Sequence, residues 1–315
     1  MTDYMAGIAA FYLTHSPDET VKAFHITHET LSRYMRRIRE EARSMSSTKY
    51  RAPIIAPKIL IIDIETAPIL AYTWGLWKQN INIPQIVEDW FIICWSAKWL
   101  FDDNVFAECV TPKESIALDD SRIMKKLWKL LDEADMVIAH NAKKFDIPRI
   151  NSRMLVAGMM PPSPYIVIDT LYYYRKQFGF SSNKLDYLNT VLSVENKTDT
   201  GGLQTWIDCK NGSQDALDHM LEYNINDVKI LEANYLILRP WIKNHPNVAV
   251  YMEGNKPRCS VCGSSDLSIA TSNYVTPVNA YTTYRCNSCG AIAGRERKSL
   301  IDKDDKKNLL RAIAR

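Results

Sequence analysis

The spacing of apolar and polar side chains divides the chain into three segments, and the first, residues 1–45, has a helical pattern. Apolar residues recur there every three to four positions, as they do on one face of a helix. Ser16-Pro17 and Thr27 are expected helix starts, because Ser and Thr cap helix ends and Pro suits the first helical position. We therefore predict two short helices joined by a tight turn. The second helix carries a group of arginines: Arg33, Arg36, Arg37 and Arg39.

Two interpretations of this N-terminal unit remain open. A tight turn followed by a basic helix resembles a helix-turn-helix with its recognition helix. A small helical bundle with a solvated basic face fits the same pattern equally well. Residues 46–57 contain Ser and two prolines without any periodicity, which predicts a linker.

Strand and helix patterns alternate in the second segment, residues 58–244. Residues 58–63 form an apolar, β-branched run that predicts a buried strand. Further strands are expected at 91–100, 104–111, 136–141 and 165–170, with helices at 119–132, 145–157, 171–178, 184–192 and 213–242. This alternation predicts an α/β fold, with a mixed sheet flanked by helices on both faces.

Composition and charge add little to this picture. With 46% hydrophobic and 24% charged residues, the chain has the composition of an ordinary globular protein. Its net charge of +3 is too small to establish a polyanionic partner. No apolar run approaches the roughly 18 residues of a membrane span, and the start lacks a basic leader with a cleavage site. A cytoplasmic location without membrane contact is the default expectation.

Candidate chemistry lies in carboxylates at the ends of predicted elements. Asp63 and Glu65 end the first strand two residues apart, so their side chains point to the same side. Asp146 begins a helix after a buried strand, and Tyr223 and Asp227 share one face of the last long helix. Each has an ordinary alternative as a solvated charge, a helix cap or a core residue. A shared oxygen-rich site would select a hard divalent cation.

The order of these residues resembles a known nuclease superfamily. A strand-end Asp-x-Glu, then Asn-x-x-x-Phe-Asp, then Tyr-x-x-x-Asp on a late helix is similar to the DnaQ-type 3′–5′ exonucleases, in their tyrosine-bearing (DEDDy) branch. Residues 168–171 and 184–188 also resemble segments of the stand-alone relatives of family B DNA polymerase proofreading domains. The resemblance covers roughly residues 58–242 and implies a ribonuclease H-like fold.

The resemblance also implies roles for the individual side chains. Asp63 would bridge two Mg²⁺ or Mn²⁺ ions, and Glu65 and Asp227 would complete the first of these two sites. Asp146 would hold the second ion mainly through water, and Tyr223 would position the attacking water. Two such ions suffice for phosphodiester hydrolysis without a side-chain nucleophile. The expected product is a nucleoside 5′-monophosphate released from a 3′ terminus.

Residues near these carboxylates are further candidates for the site. Asn141 and Phe145 would contact the terminal nucleotide by hydrogen bonding and stacking. The expected partner is nucleic acid, single-stranded or at 3′ ends, with DNA favoured over RNA. His140 and Asp169 are expected to support the structure, and the loop tryptophans Trp74 and Trp77 are expected to pack.

The third segment carries four of the seven cysteines in two Cys-x-x-Cys-Gly knuckles. Two thiolates from each knuckle suit one tetrahedral zinc ion, and the glycine permits a positive backbone angle. Residues 257–300 therefore resemble a zinc ribbon, with a linker at 245–256 and a charged tail at 301–315. Because all four zinc positions would be filled, the zinc would be structural. Its ligands would be Cys259, Cys262, Cys286 and Cys289.

Two other functions are compatible with the same three segments of the chain. A transposon-type ribonuclease H-like endonuclease combines a similar core with a zinc ribbon, but there the ribbon precedes the last carboxylate, whereas here it follows Asp227. A non-catalytic DNA-binding regulator could use the two end modules. The acidic quartet argues against that reading, because four carboxylates without metal would only weaken binding to phosphates.

Overall fold

A computed structural model of the chain describes residues 3–12, 15–44, 56–194, 201–311 and 313. Residues 58–238 separate as one compact unit from the two ends of the chain. The predicted linker at 46–57 lies mostly outside the described residues. The domain boundaries given above remain predictions, although this unit ends where the last long helix of the core ends.

The N-terminal segment is helical, as its pattern predicts, but a helix precedes the two expected ones and the last is long: α1 (Asp3–Tyr12), α2 (Pro17–Phe24) and α3 (His28–Ser44). Ser16 and Glu19 form a reciprocal capping box at the start of α2. Thr27 accepts a hydrogen bond from the backbone of Thr30 at the start of α3. The helices share a small core that contains Ile8 and Leu31. Three packed helices are common to both interpretations of this unit, so the helix-turn-helix remains a prediction.

The central unit is built on a five-stranded mixed sheet in the order β5-β4-β1-β6-β7. Strand β1 is antiparallel to β4 and parallel to β6, and β7 is parallel to β6. A separate hairpin of β2 and β3 lies in the connection between β1 and β4. The strands are β1 (Ile59–Thr66), β2 (Leu70–Ala71), β3 (Ile86–Glu88), β4 (Ile92–Trp99), β5 (Val105–Cys109), β6 (Met136–Ala139) and β7 (Ile166–Asp169).

Helices cover both faces of this sheet. Adjacent residues of β4 point to opposite faces, and Cys94 contacts the backbone of Met220 while the Trp95 indole donates to the backbone of Ile123. The helices that carry Met220 and Ile123 therefore lie on different sides. The helices are α4 (Pro112–Ile116), α5 (Ser121–Glu133), α6 (Asp146–Val156), α7 (Thr170–Gln177), α8 (Leu185–Val191), α9 (Leu203–Lys210) and α10 (Gln214–Leu238).

The mixed α/β fold class predicted from the sequence is confirmed by this arrangement. Every strand and helix predicted for residues 58–242 is present, with ends shifted by a few residues. The hairpin β2/β3 and the short helices α4 and α9 were not predicted. The expectation that the loop tryptophans pack is wrong, because Trp74 is 97% and Trp77 83% exposed.

The C-terminal segment is a small β structure around the four cysteines. Its three-stranded sheet has the order β12-β11-β8, and β9 pairs with β10. Its elements are β8 (Leu267–Ile269), β9 (Tyr274–Thr276), β10 (Asn279–Tyr281), β11 (Thr283–Cys286), β12 (Ile292–Arg295) and α11 (Lys303–Lys307). The segment expected as a linker holds a 3-10 helix, Val248–Tyr251, and the backbone of Val248 donates to Ser260. That segment is therefore ordered against the knuckle.

The described helices include none that could cross a bilayer, since each is too short or too polar.

Candidate metal centres

Strand β1 presents the first two acidic side chains of the candidate site. Ile62 and Ile64 alternate with Asp63 and Glu65 along the strand, and the two isoleucines are buried in the core. The pleat therefore directs both carboxylates to the opposite face. A register shift between Glu65 and Thr66 ends the regular pairing with β4 at this point. The pair lies at the carboxyl end of β1, as its position in the sequence predicts.

Helix α10 brings a third carboxylate to this pair. It packs against β1, β4 and β5, and the amide nitrogen of Asn224 donates to Asp63 over 2.7 Å. Carboxylate oxygens of Asp63, Glu65 and Asp227 all lie within 4.8 Å of one another. Three like charges at such distances repel each other unless a cation lies between them. An all-oxygen set of this kind suits Mg²⁺ or Mn²⁺.

Asp146 lines the same cavity but does not belong to the group of three. It begins α6 and is only 1% exposed, and the backbone of Ile64 hydrogen-bonds to its carboxylate. The pKa of Asp146 is raised to about 8, chiefly by burial and to a lesser extent by the negative charges of Asp169 and Glu65. Its Oδ2 is buried and has no hydrogen-bond partner among the described residues. A nearby cation or its water would supply the missing partner.

The cavity has a volume of about 630 Å³. Its lining combines the four carboxylates with Tyr223 of α10 and with Asn141 and Phe145 from the loop before α6. Arg175 and Lys184 contribute positive charge to the lining, and Asp186 contributes a fifth acidic side chain. The structure thus gathers all seven residues predicted for this site at one cavity, although only three of the carboxylates are within mutual ligand distance.

Two residues expected to support the structure hold the loop that precedes α6. The Asp169 carboxylate accepts hydrogen bonds from the backbone N–H groups of Asn141, Lys143 and Tyr172. His140 pairs with the Thr170 hydroxyl and the Asn183 carbonyl, both at 2.9 Å. Asn141 itself has a φ of 78°, a left-handed conformation that Asn tolerates better than most residues. These contacts fix the backbone that positions Phe145 and Asp146.

Two side chains that contact the carboxylates were not predicted from the sequence. The Trp206 indole donates to Glu65 over 3.1 Å, and Asn224 donates to Asp63. Asn224 was detectable, because it lies three residues before Asp227 and therefore on the same helix face. Trp206 was not, since nothing in its short helix α9 marks it as a partner of a residue so distant in the chain.

The four paired cysteines form the second candidate centre. Their sulfur atoms lie within 4.8 Å of one another, with Cys259 to Cys289 at 3.7 Å and Cys262 to Cys286 at 3.5 Å. A tetrahedral zinc with bonds near 2.3 Å separates its sulfurs by about 3.8 Å. The distances therefore fit zinc closely.

The backbone around these thiols matches the expected knuckles. Gly263 and Gly290 have φ of 80° and 79°, and each donates to the first cysteine of its knuckle over 2.9 Å. Hydrogen bonding among the four thiols lowers the pKa of Cys289 and raises the pKa of Cys262. The thiolate form that zinc binds is thereby favoured at Cys289.

Comparison with known proteins agrees with the fold of the central unit. Residues 99–236 match a family described as the RNase_H superfamily. The core is ribonuclease H-like. The matched range includes Asp146 and Asp227 but begins after β1, so Asp63 and Glu65 lie outside it.

Among solved structures, the chain is similar to the family B DNA polymerase from the hyperthermophilic archaeon Pyrobaculum calidifontis, at 14% sequence identity and a TM-score of 0.44. The similarity covers 65% of this chain and 26% of the polymerase chain, so the chain spans about a quarter of that protein. No curated protein matches the chain.

Proposed function

We propose that this chain is a divalent-metal-dependent 3′–5′ exonuclease that releases nucleoside 5′-monophosphates. The observation that carries the proposal is the convergence of Asp63, Glu65 and Asp227 within 4.8 Å, with Asp146 lining the same cavity. These residues come from β1, α6 and α10, so only the folded core brings them together. A ribonuclease H-like core is the expected setting for such a cluster.

The four carboxylates would hold two Mg²⁺ or Mn²⁺ ions. When bound, these ions lower the pKa of water and neutralise the charge that develops on the phosphate oxygens. Asp63 would face both ions, Glu65 and Asp227 would complete the first position, and Asp146 would complete the second mainly through water. Trp206 and Asn224 would keep the carboxylates of Glu65 and Asp63 oriented through their hydrogen bonds.

The reaction is a hydrolysis that needs no covalent intermediate with the protein. The Tyr223 hydroxyl would hold the attacking water, whose oxygen forms a bond to phosphorus. The bond from phosphorus to the 3′ oxygen of the preceding nucleotide breaks, and that oxygen gains a proton, which balances the proton that the attacking water loses. The products are a nucleoside 5′-monophosphate and a strand with a new 3′ hydroxyl.

The cavity favours a terminal nucleotide over an internal duplex segment. Its volume of about 630 Å³ falls within the range of pockets that enclose one small ligand. Phe145 offers an aromatic surface for the last base, and Asn141 offers an amide for hydrogen bonding. Arg175 and Lys184 would contact the phosphates of the strand as it enters.

The test uses purified full-length chain with 5′-labelled and 3′-labelled single strands of DNA and RNA. We expect Mg²⁺- or Mn²⁺-dependent release of mononucleotides from the 3′ end, seen as a ladder with the 5′ label. The ladder should be absent with chelator and in Asp63→Asn. Asp103→Asn, which changes an exposed carboxylate before β5, should behave as the natural chain.

Discrete internal fragments would instead indicate an endonuclease. Strand binding without any cleavage in either metal would indicate a non-catalytic binding protein. Full activity of Asp63→Asn would contradict the proposed site.

A further inference from the structure

A second cavity lies within the C-terminal β structure, between the segment that precedes Cys259 and strand β12. Its volume is about 760 Å³, and four basic side chains line it, whereas its acidic lining consists of Glu296. All of its lining residues fall between positions 254 and 297, so this cavity, here called the ribbon groove, belongs to the cysteine-bearing segment alone. The basic residues are Lys256, Arg258, Arg295 and Arg297.

The charges of the ribbon groove are only partly neutralised by the protein itself. Arg258 is used within the fold, because it donates to the backbone oxygens of Glu253 and Gly263. Glu296 accepts a 2.6 Å hydrogen bond from the Tyr284 hydroxyl. Lys256 and Arg297 have no ion pair or hydrogen-bonded partner among the described residues. The groove therefore presents two uncommitted cations to an outside ligand.

The charge of the surrounding sequence has the same sign. Residues 254–300 contain six basic and two acidic side chains, a difference of +4 before the cysteines are counted. A zinc ion with four thiolates would contribute −2, so the segment remains positive when loaded. Uncompensated cations concentrated in one groove attract a polyanion. The basic residues are Lys256, Arg258, Arg285, Arg295, Arg297 and Lys298, and the acidic ones are Asp266 and Glu296.

Aromatic rings next to the groove indicate which kind of polyanion it would bind. The Arg295 guanidinium lies 3.8 Å from the ring centroid of Tyr281 and 5.5 Å from that of Tyr274. Tyr274 is 52% exposed. A guanidinium held over tyrosine rings offers a surface on which an unpaired base can stack, next to the cations that would hold its phosphates. An acidic protein or a sulfated sugar would make no use of this stack.

We propose that the ribbon groove is a second nucleic-acid-binding site, which takes the sugar-phosphate backbone of a single strand on Lys256 and Arg297 and stacks a base on Tyr274 beside Arg295. The site is separate from the acidic cavity and does not depend on hydrolysis there. In a working nuclease it would retain the strand between successive cleavages.

The experiment measures binding of fluorescent oligothymidine to full-length protein by anisotropy, in the Asp63→Ala background and without added divalent metal. Uncompensated carboxylates then disfavour binding at the acidic cavity. Lys256→Gln/Arg297→Gln should raise the Kd about tenfold at moderate salt. The slope of log affinity against log salt should fall by about 1.4, because each phosphate contact to a single strand contributes roughly 0.7.

The matched control is Lys303→Gln/Lys307→Gln, which removes the same charge from exposed positions of α11 outside the groove. It should retain the parent Kd, and all variants should retain one zinc per chain. Tyr274→Leu should weaken oligothymidine binding severalfold and leave heparin binding unchanged.

An unchanged Kd in the groove variant would overturn the proposal, as would equal losses in groove and control variants. An unchanged Kd in Tyr274→Leu would overturn its nucleic-acid component and leave a site for polyanions in general. None of these outcomes depends on cleavage, so a failure of the proposed nuclease activity would be recognised separately.

Discussion

The two candidate metal centres of this chain differ in where their ligands come from and in how much of the ligand shell the protein supplies. The carboxylate site combines residues of β1, α6 and α10, whereas the cysteine site takes its thiols from two four-residue knuckles. The first exists only when the core is folded. Zinc held by the second would stabilise the fold around it, because bound zinc contributes directly to folding free energy.

This difference distinguishes a centre suited to a reaction from a centre suited to a structural role. Four thiolates fill the tetrahedral shell of zinc, so no position remains for a reacting molecule. Three carboxylates within 4.8 Å, with Asp146 nearby in an open cavity, leave room for water and a phosphate. On the proposed function, the chain combines a closed centre that would hold a fold with an open centre suited to hydrolysis.

The largest expected effect concerns activity. Asp227→Asn removes one negative charge from the group of three and should lower the hydrolysis rate by roughly 10³-fold, since metal-based stabilisation of the transition state is worth several kcal/mol. Release of labelled mononucleotides measures this rate. Asp218→Asn, on the exposed side of the same helix, should retain full activity. A comparable loss in Asp218→Asn would show that α10 tolerates no change of charge and would remove the argument for Asp227.

The second prediction changes the other centre and should leave the first intact. Cys286→Ser should lower the zinc content from one ion per chain to none, because three remaining thiolates hold the ion far less tightly. Metal analysis by mass spectrometry measures this, and cleavage of a dinucleotide substrate should persist. Cys109→Ser changes a cysteine of the core and should retain the zinc. Retention of zinc by Cys286→Ser would contradict the assignment of the four ligands.

The contrast between the centres also explains how far the sequence could predict them. The knuckles were predictable because ligand spacing and glycines are local, and Gly263 and Gly290 adopt the expected positive angles. Asp63 and Asp227 were predictable because their elements have strong apolar patterns that place them at a strand end and on one helix face. Trp206 was not predictable, because its hydrogen bond to Glu65 joins residues 141 positions apart. The exposed Trp74 shows that composition alone does not reveal whether a large aromatic side chain packs.

The third prediction tests that unforeseen contact. Trp206→Phe retains an aromatic ring but removes the N–H that orients Glu65, so the Mg²⁺ concentration for half-maximal activity should rise roughly tenfold. Metal titrations of the cleavage rate measure it, and the rate at saturating Mg²⁺ should change much less. Trp128→Phe is the matched control, because it removes an indole hydrogen bond to the backbone of Met160 away from the carboxylates. Identical titrations for Trp206→Phe and the natural chain would contradict an orienting role.

The smallest effect concerns the stability of the metal-free protein. Asp146→Asn replaces a buried carboxyl, whose pKa is raised to about 8 by burial, with a neutral side chain of the same shape. Between about pH 4 and pH 8 the folded chain keeps a proton on Asp146 that the unfolded chain has lost, so the natural protein loses stability as pH rises through this range. The variant lacks this dependence. Its melting temperature should therefore equal that of the natural chain near pH 4 and exceed it by several degrees near pH 8.

Differential scanning fluorimetry across this pH range, with chelator present, measures the difference. Asp103→Asn should show no such trend, since its carboxylate is exposed. Addition of Mg²⁺ provides a further test, because a cation that binds near Asp146 stabilises the natural chain more than the variant. It should therefore reduce or reverse the difference between their melting temperatures. A variant that is less stable than the natural chain at pH 8 without metal would show that the protein itself compensates the negative charge of Asp146. Asp146 would then not serve as the second metal position of the carboxylate site.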